Sequence, residues 1–411
     1  MKVWIINHYA IPPSLGGLVR HYYFSKYLQE KGHEVKIFTA SKIHNTDVNM
    51  ITDNKSYIEK DMDGVIYAFV RTSDYKGNGI DRIINMLQFP IRIWSVCRKF
   101  EKPDVIYTSS PSPLTAVSAV IMAKVLKVKK VVEIRDLWPE SIVEYNEISR
   151  RNPIIQILYQ LEKWLYKNAD ELIFTMEGGK KYIKERGWAK EINPQKIYHI
   201  NNGVDLEEFE YSREHFQIED EDLENEDIFK VVYAGSIRKV NNLEILIESA
   251  RLLKQEKSNI KFLIWGDGNE KQELEKQCNK LKLKNIVFKG KVEKKYIPYI
   301  VSKADVNFMH GKYTGIMRFG CSSNKLFDYL AAGKTILTDI NPSYNLVEKY
   351  HCGVTIEGDE PEKIVEKLLE LEKERVFLQE KYENNAKELS KKYDFKLLTN
   401  KLEEILQKVE K

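Results

Sequence analysis

In the stretch "SSNKLFDYLAAGKTIL", residues 322–337, Lys325 and Asp328 are opposite charges set among mostly apolar or small side chains. Ser322, Ser323 and Asn324 are N-cap residue types, Gly333 is a helix-stopping type, and "KLFDYLAA" between them favours a helix. Such a helix presents free first-turn amides and the positive end of its dipole, which with Lys325 suit a phosphate. Asp328 lies about 5 Å further along the same face, where a carboxylate accepts hydrogen bonds from vicinal ribose hydroxyls. The helix would then read a nucleoside diphosphate lengthwise, with the backbone of Ser323, Asn324 and Leu326 at the phosphates. The competing account is a surface ion pair between Lys325 and Asp328, contributing roughly a few tenths of a kcal/mol.

The elements that must position these residues follow from hydrophobic periodicity. "KVWIINH", "EVKIFT", "GVIYAFV", "DVIYTS", "KVVEIR", "ELIFTM" and "KIYHINN" read as strands, with helical patterns between them at about 19–31, 81–100, 113–127, 151–168 and 177–186. The alternation lapses in "EDEDLENED", residues 219–227, which reads as a solvated surface segment. It restarts with "KVVYAGS", "KFLIWGDG", "NIVFKG", "ADVNFM", "KTILTD" and "CGVTI", and ends in a charged helical tail broken near "KKYDF". This predicts an α/β protein of two facing Rossmann-like, doubly wound domains with a cleft between them. The expected boundaries are residues 1–205, 206–390, and a terminal helix over 391–411 that crosses back to the first domain. Ligands of such sheets sit beyond the carboxyl ends of strands, so "NHYAIPPSLGG", "EIRDLWPES", "YAGSIRKVNN" and "WGDGNE" are the loops to watch.

The bulk numbers narrow the function. A chain of 411 residues with 43% hydrophobic and 31% charged residues suits two folded domains. No run of 18 apolar residues occurs, and the opening segment is too short and polar for a signal peptide, so the expected location is the cytoplasm. Cys97, Cys278, Cys321 and Cys352 are far apart, which argues against a disulfide framework or a structural zinc site, and no metal is expected. Residues 1–205 carry 30 Lys and Arg against 23 Asp and Glu, a basic half suited to phosphate-bearing substrates or an anionic membrane surface. No nucleic-acid recognition motif is present, and none is expected as a partner. A nicotinamide dehydrogenase is disfavoured because no G-x-G-x-x-G follows the first strand.

"SNKLFDYLAAGKTIL" resembles the carboxyl-terminal signature of retaining GT-B glycosyltransferases of the group 1, or family 4, type, in which an acid at the position of Asp328 binds the ribose of a sugar nucleotide. "GGLVRHYYFSKYLQEKGHEVKIFTA" is similar to that family's opening glycine loop and helix, and "EIRDLWPES" to its bacterial cell-surface branch. "NNGVD", "YAGSIRKVNNLEILIESA" and "IWGDGNE" match its interdomain and nucleotide-domain landmarks. The resemblance covers about residues 1–345 and departs in places. Gly320 stands where a Glu of an E-x7-E pattern is common. Ser236 and Asn241 replace phosphate-bracing Arg and Lys, and Arg135 followed by Asp136 stands where many relatives have His.

The resemblance implies transfer of a hexose or N-acetylhexosamine from a nucleotide sugar, with UDP the expected nucleotide, to a lipid-linked saccharide in surface polysaccharide assembly. The departing diphosphate gains charge, and fixed donors stabilise it. The candidate donors are Arg238, Lys239, Lys325 and the helix amides, with backbone from Gly16, Gly17, Gly235 and Ser236. No residue stands out as a nucleophile on the sugar, so front-face retention is expected without a cofactor. Gly266 and Gly268 would let backbone approach the base, with Asp267 fixing their loop. Arg135 and Asp136 are either substrate-positioning residues or a structural ion pair, and Gly16 and Gly17 either phosphate contacts or an ordinary tight turn. Arg20 and His21 either reach the phosphates or are helix surface charges. His8 is expected at the cleft, and His33 in a structural role. A sugar-nucleotide epimerase and a non-catalytic sugar-nucleotide-binding protein remain alternatives. Residues 82–100 combine apolar and basic side chains suited to the inner-membrane surface, with Pro90 expected to break the helix and a core-facing helix pair the favoured account. Residues 154–167 form a second such stretch.

Overall fold

The computed structural model describes residues 1–410 except 78, 111, 257 and 359. The chain divides into two compact units, one made of Met1–Asn201 plus the chain from Phe395 onward, the other of Asn202–Asp394. The division falls four residues before the expected boundary at 205, and the returning segment starts at Phe395 rather than 391.

The N-terminal unit contains β1 (Lys2–Ile6), β2 (Glu34–Ala40), β3 (Tyr57–Met62), β4 (Val65–Val70), β5 (Val105–Ser109), β6 (Lys129–Ile134), β7 (Glu171–Phe174) and β8 (Ile197–His199). They form one sheet in the order β3-β4-β2-β1-β5-β6-β7-β8, parallel throughout except for β3 against β4. The central strands carry apolar side chains buried on both faces, the pattern that a sheet covered by helices on both sides requires. The final helix, Phe395–Glu410, packs against the first helix, Arg20–Glu30: Tyr23 stacks on Phe395 at 5.0 Å, and Leu398, Leu402 and Leu406 join the same core. His33 bonds Glu403 at 2.9 Å and contacts the Met1 amine, so its role is structural.

The C-terminal unit contains β9 (Phe229–Ala234), β10 (Ile260–Trp265), β11 (Ile286–Gly290), β12 (Val306–Met309), β13 (Thr335–Thr338) and β14 (Gly353–Thr355). Their order, β11-β10-β9-β12-β13-β14, all parallel, places the topological switch between β9 and β12.

Three expectations change. The antiparallel edge strand β3 was not expected: Asp63 and Gly64, at φ 56° and 84°, form a two-residue hairpin turn joining it to β4. Pro90 does not break its helix, which runs from Ile80 to Cys97. Phe89, Ile93 and Val96 bury into the core beside it, and Ser118 donates to the Pro90 carbonyl at 2.6 Å while accepting from Trp94, so packing outweighs the proline's cost of about 3 kcal/mol. The acidic stretch is not merely solvated either. Asp220 caps a short helix, Glu221–Glu224, Leu223 is buried, and Asp220 and Asp222 pair with Lys289 while Asp222 also pairs with Lys261.

Candidate functional site

Three loops interlock at the carboxyl edge of the C-terminal sheet. Gly235 follows β9, and a side chain there would lie 2.1 Å from the Lys325 Cε, so the lysine stem lies directly over that glycine. Lys325 Nζ donates to the Tyr233 hydroxyl at 2.7 Å and sits 4.2 Å from the centre of that ring. The hydroxyl in turn donates to the Ser236 carbonyl at 2.9 Å, which also receives the Asn241 amide at 2.6 Å. Asn241 bonds Ser236 Oγ as well. The residue in place of a phosphate-bracing Lys therefore clamps the loop instead. Arg238 and Lys239 stand exposed beyond it, with no ion pair or side-chain hydrogen bond among the described residues.

Burial pushes the Lys325 ammonium down to about 8, opposed by Cys321 nearby. Burial raises the Asp328 carboxyl, opposed by the Lys294 charge. Among the described residues Lys325 and Asp328 form no ion pair with each other, and Asp328 has no hydrogen-bond partner. Half-buried and without a protein donor among the described residues, the carboxylate keeps acceptor capacity that a ligand hydroxyl can use. The helix itself spans Asn324–Ala332, with Ser323 at its N-cap making no side-chain cap and Gly333 closing it at φ 61°. Its first turn is thus not stoppered by its own serine. Leu326 is different: its side chain is core, and its amide donates to the Ser323 carbonyl at 3.3 Å, so it offers nothing to a phosphate.

The glycines are spent on protein contacts. A Cβ at Gly266 would lie 1.8 Å from the Gly235 carbonyl oxygen, and one at Gly268 2.0 Å from that of Ile237. The Gly235, Gly266 and Gly268 amides donate to the Trp265 carbonyl, the Gly290 carbonyl and Asp267 Oδ1 respectively. Asp267 does fix its loop through that last bond, but Gly266 and Gly268 offer no free amide to a base.

In the N-terminal unit, Gly16 is half-buried and Gly17 exposed, with nothing within 4 Å of a Cβ built on Gly17. Arg20 and His21 go inward instead of reaching for phosphates. Arg20 Nε bonds Glu133 Oε1 at 2.7 Å while its other nitrogens reach the Asn201 and Ile200 carbonyls. His21 takes a hydrogen bond from Asn7 at 3.0 Å and lies 3.2 Å from Glu133 Oε2. Tyr107 and Ser109 also donate to Glu133. Burial raises the Glu133 carboxyl, but Arg20, then His21 and Arg135, outweigh it and hold the group well below the usual range. The first helix turns this face inward because Glu133, buried at the end of β6, is tolerable only when fully paired. Next along the chain, Arg135 is half-buried and Asp136 exposed, and they form no ion pair with each other among the described residues. His8 is buried, bonds Asn85 at 2.8 Å, and is pushed down to about 3 by burial.

The sequence marks Asn241 only as the loss of a phosphate-bracing Lys and assigns no role to Tyr233 or Glu133. Tyr233 and Glu133 read simply as strand residues, and only the fold brings their partners to them.

The "Glycosyltransferase Family 4" model matches residues 15–208 and the "Glycosyl transferases group 1" model residues 215–389. Together the two models take in most of the chain, which is a glycosyltransferase. Among curated relatives, the uncharacterized glycosyltransferase MJ1069 of Methanocaldococcus jannaschii is 24% identical over 95% of this chain and 94% of its own. WbjE of Pseudomonas aeruginosa, described as a probable glycosyltransferase, is 22% identical over 55% of this chain, and the match spans 56% of WbjE. The solved structure of Anabaena HepE in complex with UDP-glucose superposes with a TM-score of 0.69 at 13% identity, covering 99% of this chain and 100% of that one. The fold of this glycosyltransferase is therefore GT-B, with a Rossmann-like sheet in each unit.

Proposed function

We propose that the protein is a retaining, metal-independent glycosyltransferase that moves a hexose or N-acetylhexosamine from a UDP-sugar to a lipid-linked saccharide during surface polysaccharide assembly. The observation that carries the donor half is the Asn324–Ala332 helix. Its first turn is uncapped by a side chain, Lys325 is held over Gly235, and Asp328 lies one turn deeper with no hydrogen-bond partner among the described residues. UDP-glucose in HepE, a neighbour in fold, is the donor chemistry such a helix would take. As the sugar–phosphate bond breaks, charge accumulates on the diphosphate, and Lys325, Arg238, Lys239 and the Asn324 and Lys325 amides are the positive groups to stabilise it. The acceptor hydroxyl bonds to the anomeric carbon on the face that the diphosphate leaves and gives its proton to that departing phosphate, so the sugar keeps its anomeric configuration. Gly16, Gly17, Arg135 and Asp136, at the carboxyl edge of the N-terminal sheet, we assign to substrate positioning.

The lipid half of the proposal rests on the Ile80–Cys97 helix. Ile80, Ile83, Ile84, Leu87 and Ile91 are exposed along it, Ile80 by 74% and Ile91 by 70%, with Arg98 and Lys99 at its end. An apolar strip ending in cations suits the headgroup level of an anionic bilayer. Ile154 and Ile157 add exposed apolar surface on the 153–168 helix. No helix among the described residues is long and apolar enough to cross a membrane, so this contact would be peripheral.

A thermal-shift panel of UDP, GDP, ADP and dTDP, followed by UDP release from UDP-sugars with membrane lipids as acceptor, tests the proposal. Stabilisation by UDP, acceptor-dependent release and retained anomeric configuration are expected. Conversion of donor without acceptor would make the protein an epimerase, and UDP binding without release a sensor.

A further inference from the structure

His310 and Asp339 are buried at the carboxyl ends of the paired strands β12 and β13, beside the topological switch of the C-terminal sheet. The imidazole Nδ1 is bonded to Asp339 Oδ2, and Nε2 lies 2.9 Å from the Asn242 carbonyl oxygen. A carbonyl only accepts, so Nε2 carries a hydrogen and donates it. Phe308 stacks on the ring with centroids 5.7 Å apart and planes 7° from parallel. The imidazole is therefore held at both nitrogens and on one face.

The far end of this relay is a backbone corner. Asn242 closes the short turn Lys239–Asn241 at φ 45°, a left-handed conformation that a residue with a side chain adopts at a cost. Its carbonyl receives His310 and, at 3.4 Å, the Ile245 amide. Immediately before the corner stand Arg238 and Lys239, exposed and without a protein partner among the described residues. The backbone fixes where each of these two long, exposed side chains begins, and so the volume its charge can reach, which makes the corner the element that limits where the two cations can act.

We propose that His310 is a positioning residue for the donor's diphosphate. Asp339 orients the ring, Nε2–H pins the Asn242 carbonyl, and the pinned corner aims Arg238 and Lys239. The role rests on the assignment of those two cations to the phosphates. It explains why a buried polar pair occupies the end of β12, where an apolar residue would cost less.

The test uses the full chain, titrated with UDP and, separately, with uridine, which lacks phosphates. Glutamine places its amide nitrogen near the position of Nε2, whereas asparagine places it near Nδ1. His310→Asn should lower UDP affinity about tenfold and His310→Gln by less than about threefold, the scale of losing and keeping one hydrogen bond. Uridine affinity should stay unchanged in both. Adding His310→Asn to Arg238→Ala should cost less than about twofold beyond Arg238→Ala alone, because the two act through one loop. Equal losses for UDP and uridine, equal losses in the two His310 variants, or losses that multiply with Arg238→Ala would overturn the proposal. If Arg238→Ala itself leaves UDP affinity unchanged, the phosphate assignment falls and the positioning role with it. If Arg238→Ala weakens UDP binding and His310→Asn does not, only the positioning role falls. Should His310→Asn fail to fold, Asp339→Asn takes its place, with the same selective loss for UDP expected.

Discussion

Asp328 and Lys325 look like neighbours in a helical ion pair, yet each has a different use. Lys325 is turned to a hydroxyl 92 residues away in sequence, and Asp328 is left with unused acceptor capacity. Asp328→Ala should weaken UDP binding by about 1–3 kcal/mol, the range for hydrogen bonds to a charged group, as read by titration calorimetry. An unchanged affinity would remove its ribose role. Lys325 supplies a pH dependence. Its charge is present below about 8 and lost as pH rises through that value. UDP affinity should therefore fall from about pH 7.5 to 9.5 in the wild type and stay flat in Lys325→Gln, where no charge is left to lose. A parallel fall in the variant would point to another group. At this scale the sequence showed which residues were chemically equipped, Lys325, Asp328, Arg238 and Lys239 among them. It did not show which were already occupied. Arg20 and His21 have the same chemistry on paper and are taken up by Glu133, 113 and 112 positions later.

Among the elements, the loops after β9 and β10 are one object held by backbone contact. Gly268→Ala forces a methyl group to within 2.0 Å of the Ile237 carbonyl, a rigid neighbour, so the loops must part. The variant should lose about 1–3 kcal/mol in chemical denaturation, as overpacked sites do, and bind UDP less tightly because the Arg238 loop moves with it. Stability unchanged with weakened binding would instead mean that the glycine serves the ligand directly. The strand and helix order was legible because burial on both faces leaves continuous apolar runs and half-buried helices leave a 3.6-residue rhythm. The β3–β4 hairpin has a local signal in the Asp63–Gly64 pair, set inside an otherwise parallel pattern. Pro90 shows the opposite case: a strong local signal for a break was overridden by the core that Phe89, Ile93 and Val96 enter.

For the whole molecule, the charge imbalance between the halves and the exposed isoleucines of the Ile80–Cys97 helix belong together. Ile83→Glu combined with Ile91→Glu should abolish co-sedimentation with phosphatidylglycerol vesicles while leaving the melting temperature and UDP affinity near those of the parent, since both side chains face solvent. Retained sedimentation would move the lipid contact elsewhere.

The sequence by itself determined the order of elements, the two Rossmann-like sheets and the loops that carry chemistry, because periodicity and turn residues act over a few positions. Tertiary structure alone decided which polar groups are partners. It turned Arg20 inward, gave Lys325 to Tyr233, spent the Gly266 and Gly268 amides on the protein, and joined His310 to Asn242 across 68 residues. The reason is that a buried charge or amide takes whichever partner the packed core brings within about 3 Å, and that neighbour is set by the whole fold.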